Sequence, residues 1–174
     1  MQINLEPIGY VRSTRTEVRD DDWDAETASI ELDTSIFSAD ALLELDAFSH
    51  VEVVYFFNQV PESKIERGAR RPRNNPEWPM VGIFAQRGKN RPNRLGVTTA
   101  QILGVDGTTL RVAGLDAVDG TPVLDIKPHM TEFGPRGTVA QPVWATELMR
   151  EYWQPLPDAD HGSSRESVHR RGHG

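Results

Sequence analysis

His50-Val51-Glu52-Val53-Val54-Tyr55-Phe56-Phe57 is β-branched and aromatic almost throughout, the composition that fits a pleated, half-buried surface. It predicts a strand, and the flanking chain repeats the signal. Pro7-Ile8-Gly9-Tyr10-Val11-Arg12 and Ala28-Ser29-Ile30-Glu31-Leu32 alternate apolar and polar residues, as strands with one buried face do. Further strand-like runs cover residues 80–85, 95–105, 108–115 and 122–126. Gly104-Val105-Asp106-Gly107 separates two of them, and its glycines can take the positive φ of a hairpin turn. Many short strands punctuated by Gly and Pro predict an all-β fold, mainly β with few helices, built as a sandwich or a barrel.

Two helices are expected. Ser38-Ala39-Asp40-Ala41-Leu42-Leu43-Glu44-Leu45 starts on a good N-cap residue and continues with strong helix formers. Residues 142–153 place Pro in the first turn and Trp144, Leu148 and Tyr152 on one face. That aromatic stripe predicts packing rather than chemistry. Residues 63–79 hold five basic residues and three prolines and predict a mobile loop. Residues 1–154 form one expected domain, and residues 155–174 read as a disordered tail.

A chain of 174 residues is one domain's worth of protein. No apolar run approaches the roughly 20 residues of a membrane helix. Residues 1–6 show no basic stretch followed by an apolar one, so no secretory signal is visible. The expected compartment is the cytoplasm. The absence of cysteine rules out a disulfide framework, a thiol nucleophile and thiolate-bound metal. The histidines of the tail lack ligand spacing, and no metal site is expected.

The net charge of −7 conceals an asymmetry. Residues 1–63 carry 3 Lys/Arg against 14 Asp/Glu, whereas residues 64–94 carry 9 against 2. An acidic chain is a poor general nucleic-acid binder, but a focused basic segment attracts an anionic partner locally. No phosphate loop, strand-linked dinucleotide fingerprint, H-E-x-x-H or G-x-S-x-G is present.

Two segments stand out instead. Gly82-Ile83-Phe84-Ala85-Gln86-Arg87-Gly88-Lys89-Asn90-Arg91-Pro92-Asn93-Arg94-Leu95-Gly96 runs from strand to strand through a loop with four cations. Guanidinium forks on an anchored loop suit a carboxylate or phosphate; ordinary basic decoration of a hairpin is the plainer reading. Leu115-Asp116-Ala117-Val118-Asp119-Gly120-Thr121-Pro122-Val123-Leu124-Asp125-Ile126-Lys127-Pro128 is the second. Asp116 or Asp119 offers acceptors to a ligand, although Asp in such turns usually bonds its own backbone.

These segments resemble the TsaA-like family, which includes the bacterial TrmO tRNA methyltransferases. The family pattern is an F-A-T-R-S-x-x-R-P-N-P-I-G loop followed by L-D-x-x-D-G-T-P-V-x-D-I-K-P. Ile8-Gly9-Tyr10-Val11-Arg12-Ser13 and Phe48-Ser49-His50 also match, so the likeness runs co-linearly over roughly residues 7–130. The resemblance implies a small closed β-barrel with one or two peripheral helices. It implies a homodimer that binds S-adenosylmethionine near the subunit interface. The implied reaction is N6-methylation of N6-threonylcarbamoyladenosine at position 37 of tRNA, with the basic segment 64–94 meeting the tRNA. By motif, Arg87, Val97 after Gly96, and Leu115, Asp116, Ala117 and Val118 fall on cofactor-binding positions. Asn58 and Gln59 stand where the family has His-Gln, and Trp23 lies where the early cofactor loop runs. The chain departs from the pattern at Gln86 and Gly88, where A-T-R-S is usual, and at Arg94.

Methyl transfer from a sulfonium asks mainly for positioning, so no catalytic residue is assigned. His50 reads as structural, and His129 is the better acid–base candidate. The alternative function is a cofactor-binding barrel that methylates a small molecule, or one that binds RNA without modifying it.

Overall fold

Alternation decides what the strands bury. In β3 (His50–Phe56) every second residue, Val51, Val53 and Tyr55, is buried. The strand pairs on one side with β6 (Leu95–Asp106) and on the other with β8 (Pro122–Pro128), placing Val53 opposite Thr98 and Ile126. β6 turns into β7 (Thr109–Ala113), β7 pairs with β2 (Thr27–Leu32), and β2 pairs with β1 (Gly9–Ser13). β1 returns to β8. The result, in a computed structural model that describes residues 1–24 and 26–153, is a closed antiparallel barrel of order β1-β2-β7-β6-β3-β8. Closure leaves the barrel no unpaired edge. Val11, Ile30, Val51, Val53, Leu110, Val112 and Val123 are fully buried in its core, so the barrel centre is filled with side chains.

Four expectations are corrected. Residues 38–45 form no α-helix; they make short 3-10 turns, Ala39–Leu42 and Leu45–Ala47, with Glu44 left-handed at φ 62° and Ser38 making no side-chain cap. Burying Leu42, which is 1% exposed, contributes about 1.5–3 kcal/mol and offsets the roughly 1–2 kcal/mol of the left-handed residue. The run 80–85 is a strand only at β5 (Val81–Gly82), followed by the 3-10 turn Ile83–Ala85. β5 pairs with β4 (Ala69–Arg70) outside the barrel, so residues 63–79 contain ordered structure. The hairpin turn sits at residues 107–108, where Gly107 has φ 58°, and Gly104 instead marks a register shift in β6.

The second predicted helix is shorter than the pattern suggested. α1 spans Val143–Leu148, with Pro142 as N-cap, and turns follow it to residue 152. Residues 154–174, which include the expected tail, lie outside the described residues.

Candidate functional site

Tyr55 is the last buried residue of β3, next to Phe56 and Phe57. A cleft of about 1220 Å³ opens at this end of the barrel. Its lining comes from residues 18–23, the chain after β3, the loop 84–93, the start of β6, residues 116–118 and the segment 141–153. Tyr55 fits only because Gly96 faces it. A Cβ at Gly96 would lie 2.4 Å from the Tyr55 ring.

Asp116 is the polar centre of the cleft floor. Tyr55 donates its hydroxyl to Asp116 Oδ1 at 2.7 Å, and the Thr98 hydroxyl donates to the same oxygen. The Tyr152 hydroxyl donates to Oδ2. Burial, reinforced by the Asp116 charge, pushes both phenols above the usual tyrosine range. They stay donors. Asp119, the other acidic candidate of the turn, accepts from the Ser13 backbone N–H at 3.1 Å and is structural.

The loop between β1 and β2 supplies another wall. Arg15 is buried, donates to the carbonyls of Asp21 (2.8 Å) and Asp22 (3.2 Å), and stacks 3.5 Å above the Trp23 ring. Trp23 is 4% exposed and lines the cleft. Among the described residues its Nε1 meets no acceptor, a situation that favours a ligand offering one.

The basic loop divides its labour. Arg94 donates to the Val60 carbonyl at 2.8 Å and packs on Phe56, and Arg91 donates to the Gln86 carbonyl at 3.0 Å. Both hold the loop in shape. Arg87 donates to the Val97 carbonyl at 2.5 Å and otherwise stays exposed at the cleft. Lys89 pairs with Asp20 at 3.4 Å, and Arg73 pairs with Asp21 at 2.6 Å.

Of the residues singled out from sequence, Trp23, Asn58, Gln59, Arg87, Val97, Asp116, Ala117 and Val118 all line this cleft. Leu115 does not; it is 1% exposed and belongs to the barrel core. Leu115 turns into the barrel core, whereas the Asp116 carboxylate meets the hydroxyls of Tyr55, Thr98 and Tyr152 at the cleft floor. His129 is also displaced, bonding Glu52 Oε1 through Nδ1 at 3.0 Å beside the His50 end of β3. His50 bonds Ser49 Oγ at 2.8 Å. The Trp144, Leu148 and Tyr152 stripe lines the cleft rather than packing the core, which corrects its sequence reading. Tyr55 and Thr98 were not singled out. The available signal was a lone tyrosine at an inward strand position, because a buried phenol needs a partner.

The site is a wide cleft with an apolar wall, a multiply bonded carboxylate, an unsatisfied indole N–H and an exposed guanidinium. Among the described residues no group of His, Cys, Asp or Glu is placed to hold a metal ion, and no helix is long and apolar enough to cross a membrane. Known proteins share this architecture. A human tRNA (adenine(37)-N6)-methyltransferase is 28% identical over 173 residues, which is 95% of this chain and 39% of that protein. A Methanothermobacter thermautotrophicus protein described as a probable S-adenosyl-L-methionine-binding protein is 34% identical over 142 residues, covering 79% of this chain and 97% of the relative. The crystal structure of TrmO from Pseudomonas aeruginosa superposes with a TM-score of 0.66 at 29% identity, over 83% of this chain and 62% of that one. This chain thus spans well under half of the human relative. Residues 15–134 match the tRNA-methyltransferase O N-terminal domain, and the chain belongs to that family.

Proposed function

We propose that the cleft binds S-adenosylmethionine and that the protein methylates N6 of adenosine 37 in tRNA, with the N6-threonylcarbamoyl nucleoside as acceptor. One observation carries this reading. The two motif segments distant in sequence, Arg87 with Val97 and Asp116 with Ala117 and Val118, line the same cleft. Support comes from the human relative, named a tRNA (adenine(37)-N6)-methyltransferase, and from the archaeal relative named for binding the cofactor.

The residues fit the cofactor. A cleft of about 1220 Å³ is somewhat larger than small-molecule sites, which run to roughly 1,000 Å³, and leaves room for an acceptor group. Trp23 Nε1, buried without a partner among the described residues, would donate to an acceptor on the cofactor. Arg87 suits a carboxylate, and Asn58 and Gln59 add adaptable amides to the same cleft. When bound, the cofactor supplies an activated methyl group on a sulfonium. Ala117, Val118 and Trp144 exclude water from it, and the work of the protein is to orient acceptor and methyl within reach. Val97, 44% exposed, and Phe84, 76% exposed, form an apolar rim that supports a homodimer formed beside the cleft. A tRNA substrate goes with a cytoplasmic protein.

The test is methyl transfer from labelled cofactor to tRNA that carries the threonylcarbamoyl group but lacks the methyl. Label at nucleotide 37 is expected. Cofactor binding without transfer to any tRNA would overturn the tRNA assignment and favour a small-molecule acceptor. Light scattering is expected to give about twice 19.5 kDa, and a monomer at all concentrations would remove the dimer.

A further inference from the structure

Tyr152 lies outside the family match at residues 15–134, yet its side chain reaches the cleft floor. Its hydroxyl takes one acceptor position on Asp116 Oδ2, while Tyr55 and Thr98 both use Oδ1. A carboxylate offers about four acceptor positions. Three are taken by hydroxyls of this chain, and among the described residues one on Oδ2 is left for a ligand.

Tyr152 and its neighbours tie down the segment 141–153. The Tyr152 carbonyl accepts the Trp23 N–H at 3.1 Å, and the Glu151 carbonyl accepts the Asp22 N–H at 3.3 Å. Trp78 Nε1 donates to Glu147 Oε2 at 3.0 Å. No residue of α1 is buried, so this segment has no core of its own. Its lasting attachments are these polar bonds and the cleft that Trp144 and Leu148 line. Short elements with few buried apolar groups open at low free energy. What holds the segment therefore sets how often the cleft is complete.

We propose that Tyr152 is a positioning residue: it fixes the Asp116 carboxylate toward the bound cofactor and couples cofactor binding to closure of the segment 141–153 over the cleft. This rests on the cofactor assignment made above. The ligand group met by the free position of Oδ2 is a hydrogen-bond donor or cation, such as a ribose hydroxyl or an ammonium. The Tyr152 phenol is held above its ordinary range by burial beside Asp116, so it remains a donor at working pH. Linkage makes the coupling reciprocal. If closure of the segment tightens cofactor binding, the cofactor must favour closure by the same factor.

Tyr152→Phe keeps the ring and its edge-on packing against Trp153, at 5.0 Å between centroids, and removes only the hydroxyl. Two readouts test the proposal. Hydrogen exchange of the protein without cofactor should quicken across residues 141–153 and at Asp22 and Trp23. Unchanged exchange there would overturn the anchoring, whatever the protein binds. Calorimetry with S-adenosylmethionine should show about 10- to 100-fold weaker binding, as expected when a hydrogen bond to a charged group is removed. In turnover, KM for the cofactor should rise while kcat stays within a few-fold. In an Asp116→Asn background the same change should weaken binding by less than about 3-fold, because the partner is already altered. Equal affinity of Tyr152→Phe and the unaltered protein would overturn the coupling. Failure of the unaltered protein to bind the cofactor would instead overturn the function on which the coupling rests.

Discussion

Asp116 shows how one carboxylate organises a cleft floor. Tyr55, Thr98 and Tyr152 come from β3, β6 and the C-terminal segment, and each donates a hydroxyl to it. The arrangement depends on a residue with no side chain. Gly96→Ala would put a Cβ 2.4 Å from the buried Tyr55 ring, and that ring, being 1% exposed, has nowhere to go. We expect a cost of about 1–3 kcal/mol from overpacking, read as a lower melting temperature and weaker cofactor binding together. Gly88→Ala meets nothing within 4 Å and should leave stability unchanged. Equal melting temperatures for the two variants would show that Tyr55 relaxes freely. Arg87 offers a second test. Its guanidinium rests on the Val97 carbonyl, which orients the fork at low entropic cost. Arg87→Ala should weaken S-adenosylmethionine binding roughly 10- to 150-fold, with partial recovery in Arg87→Lys. Calorimetry on the folded variant checks this, and unchanged affinity would move Arg87 away from the cofactor.

At the scale of elements, the strands were legible because alternation is a direct image of burial. Val51, Val53 and Tyr55 point inward as the period of two requires. The helices were less legible because their residues serve the barrel. Leu42 must reach the core, and the chain bends at Glu44 to place it. Trp144, Leu148 and Tyr152 carry a helical period that signals a buried face, but the face is a cleft wall. Periodicity reports that a face is covered; it is silent on whether protein or ligand covers it. Family motifs located Arg87 and Asp116, whereas Tyr152 became visible only when the chain folded back on Asp116. The alternation itself can be tested on two leucines. Leu110, in β7, is 0% exposed, and Leu103, in β6, is 43% exposed. Leu110→Ala should cost about 2–5 kcal/mol, and Leu103→Ala should stay within about 0.5 kcal/mol. Denaturant midpoints with an unchanged slope are the measurement. Comparable losses at both sites would contradict the barrel register.

For the whole molecule, the proposed tRNA substrate asks an acidic chain with net charge −7 to approach a polyanion. The surplus of cations in residues 64–94 solves only part of this problem, because the fold already uses some of them. Arg73 is paired with Asp20 and Asp21, and Lys89 with Asp20. Lys64 and Arg67 are exposed and make no ion pair among the described residues. Neutralising a phosphate releases counterions, so the logarithm of affinity falls with the logarithm of salt by roughly 0.7–0.9 per phosphate neutralised. Lys64→Glu with Arg67→Glu should therefore weaken tRNA binding and flatten that slope by about one unit for each phosphate left without its cation. Asp20→Asn with Asp21→Asn should act in the opposite direction, since it releases Arg73 and Lys89 to the phosphates. Neutralising the exposed Asp40 and Asp46 on the 3-10 turns controls for net charge alone. Filter binding of tRNA across a salt series measures all three, with cofactor affinity expected to stay level in the Lys64 and Arg67 variant. If the slope is the same for all of them, residues 64–94 do not face the RNA, and tRNA must approach the cleft from another side.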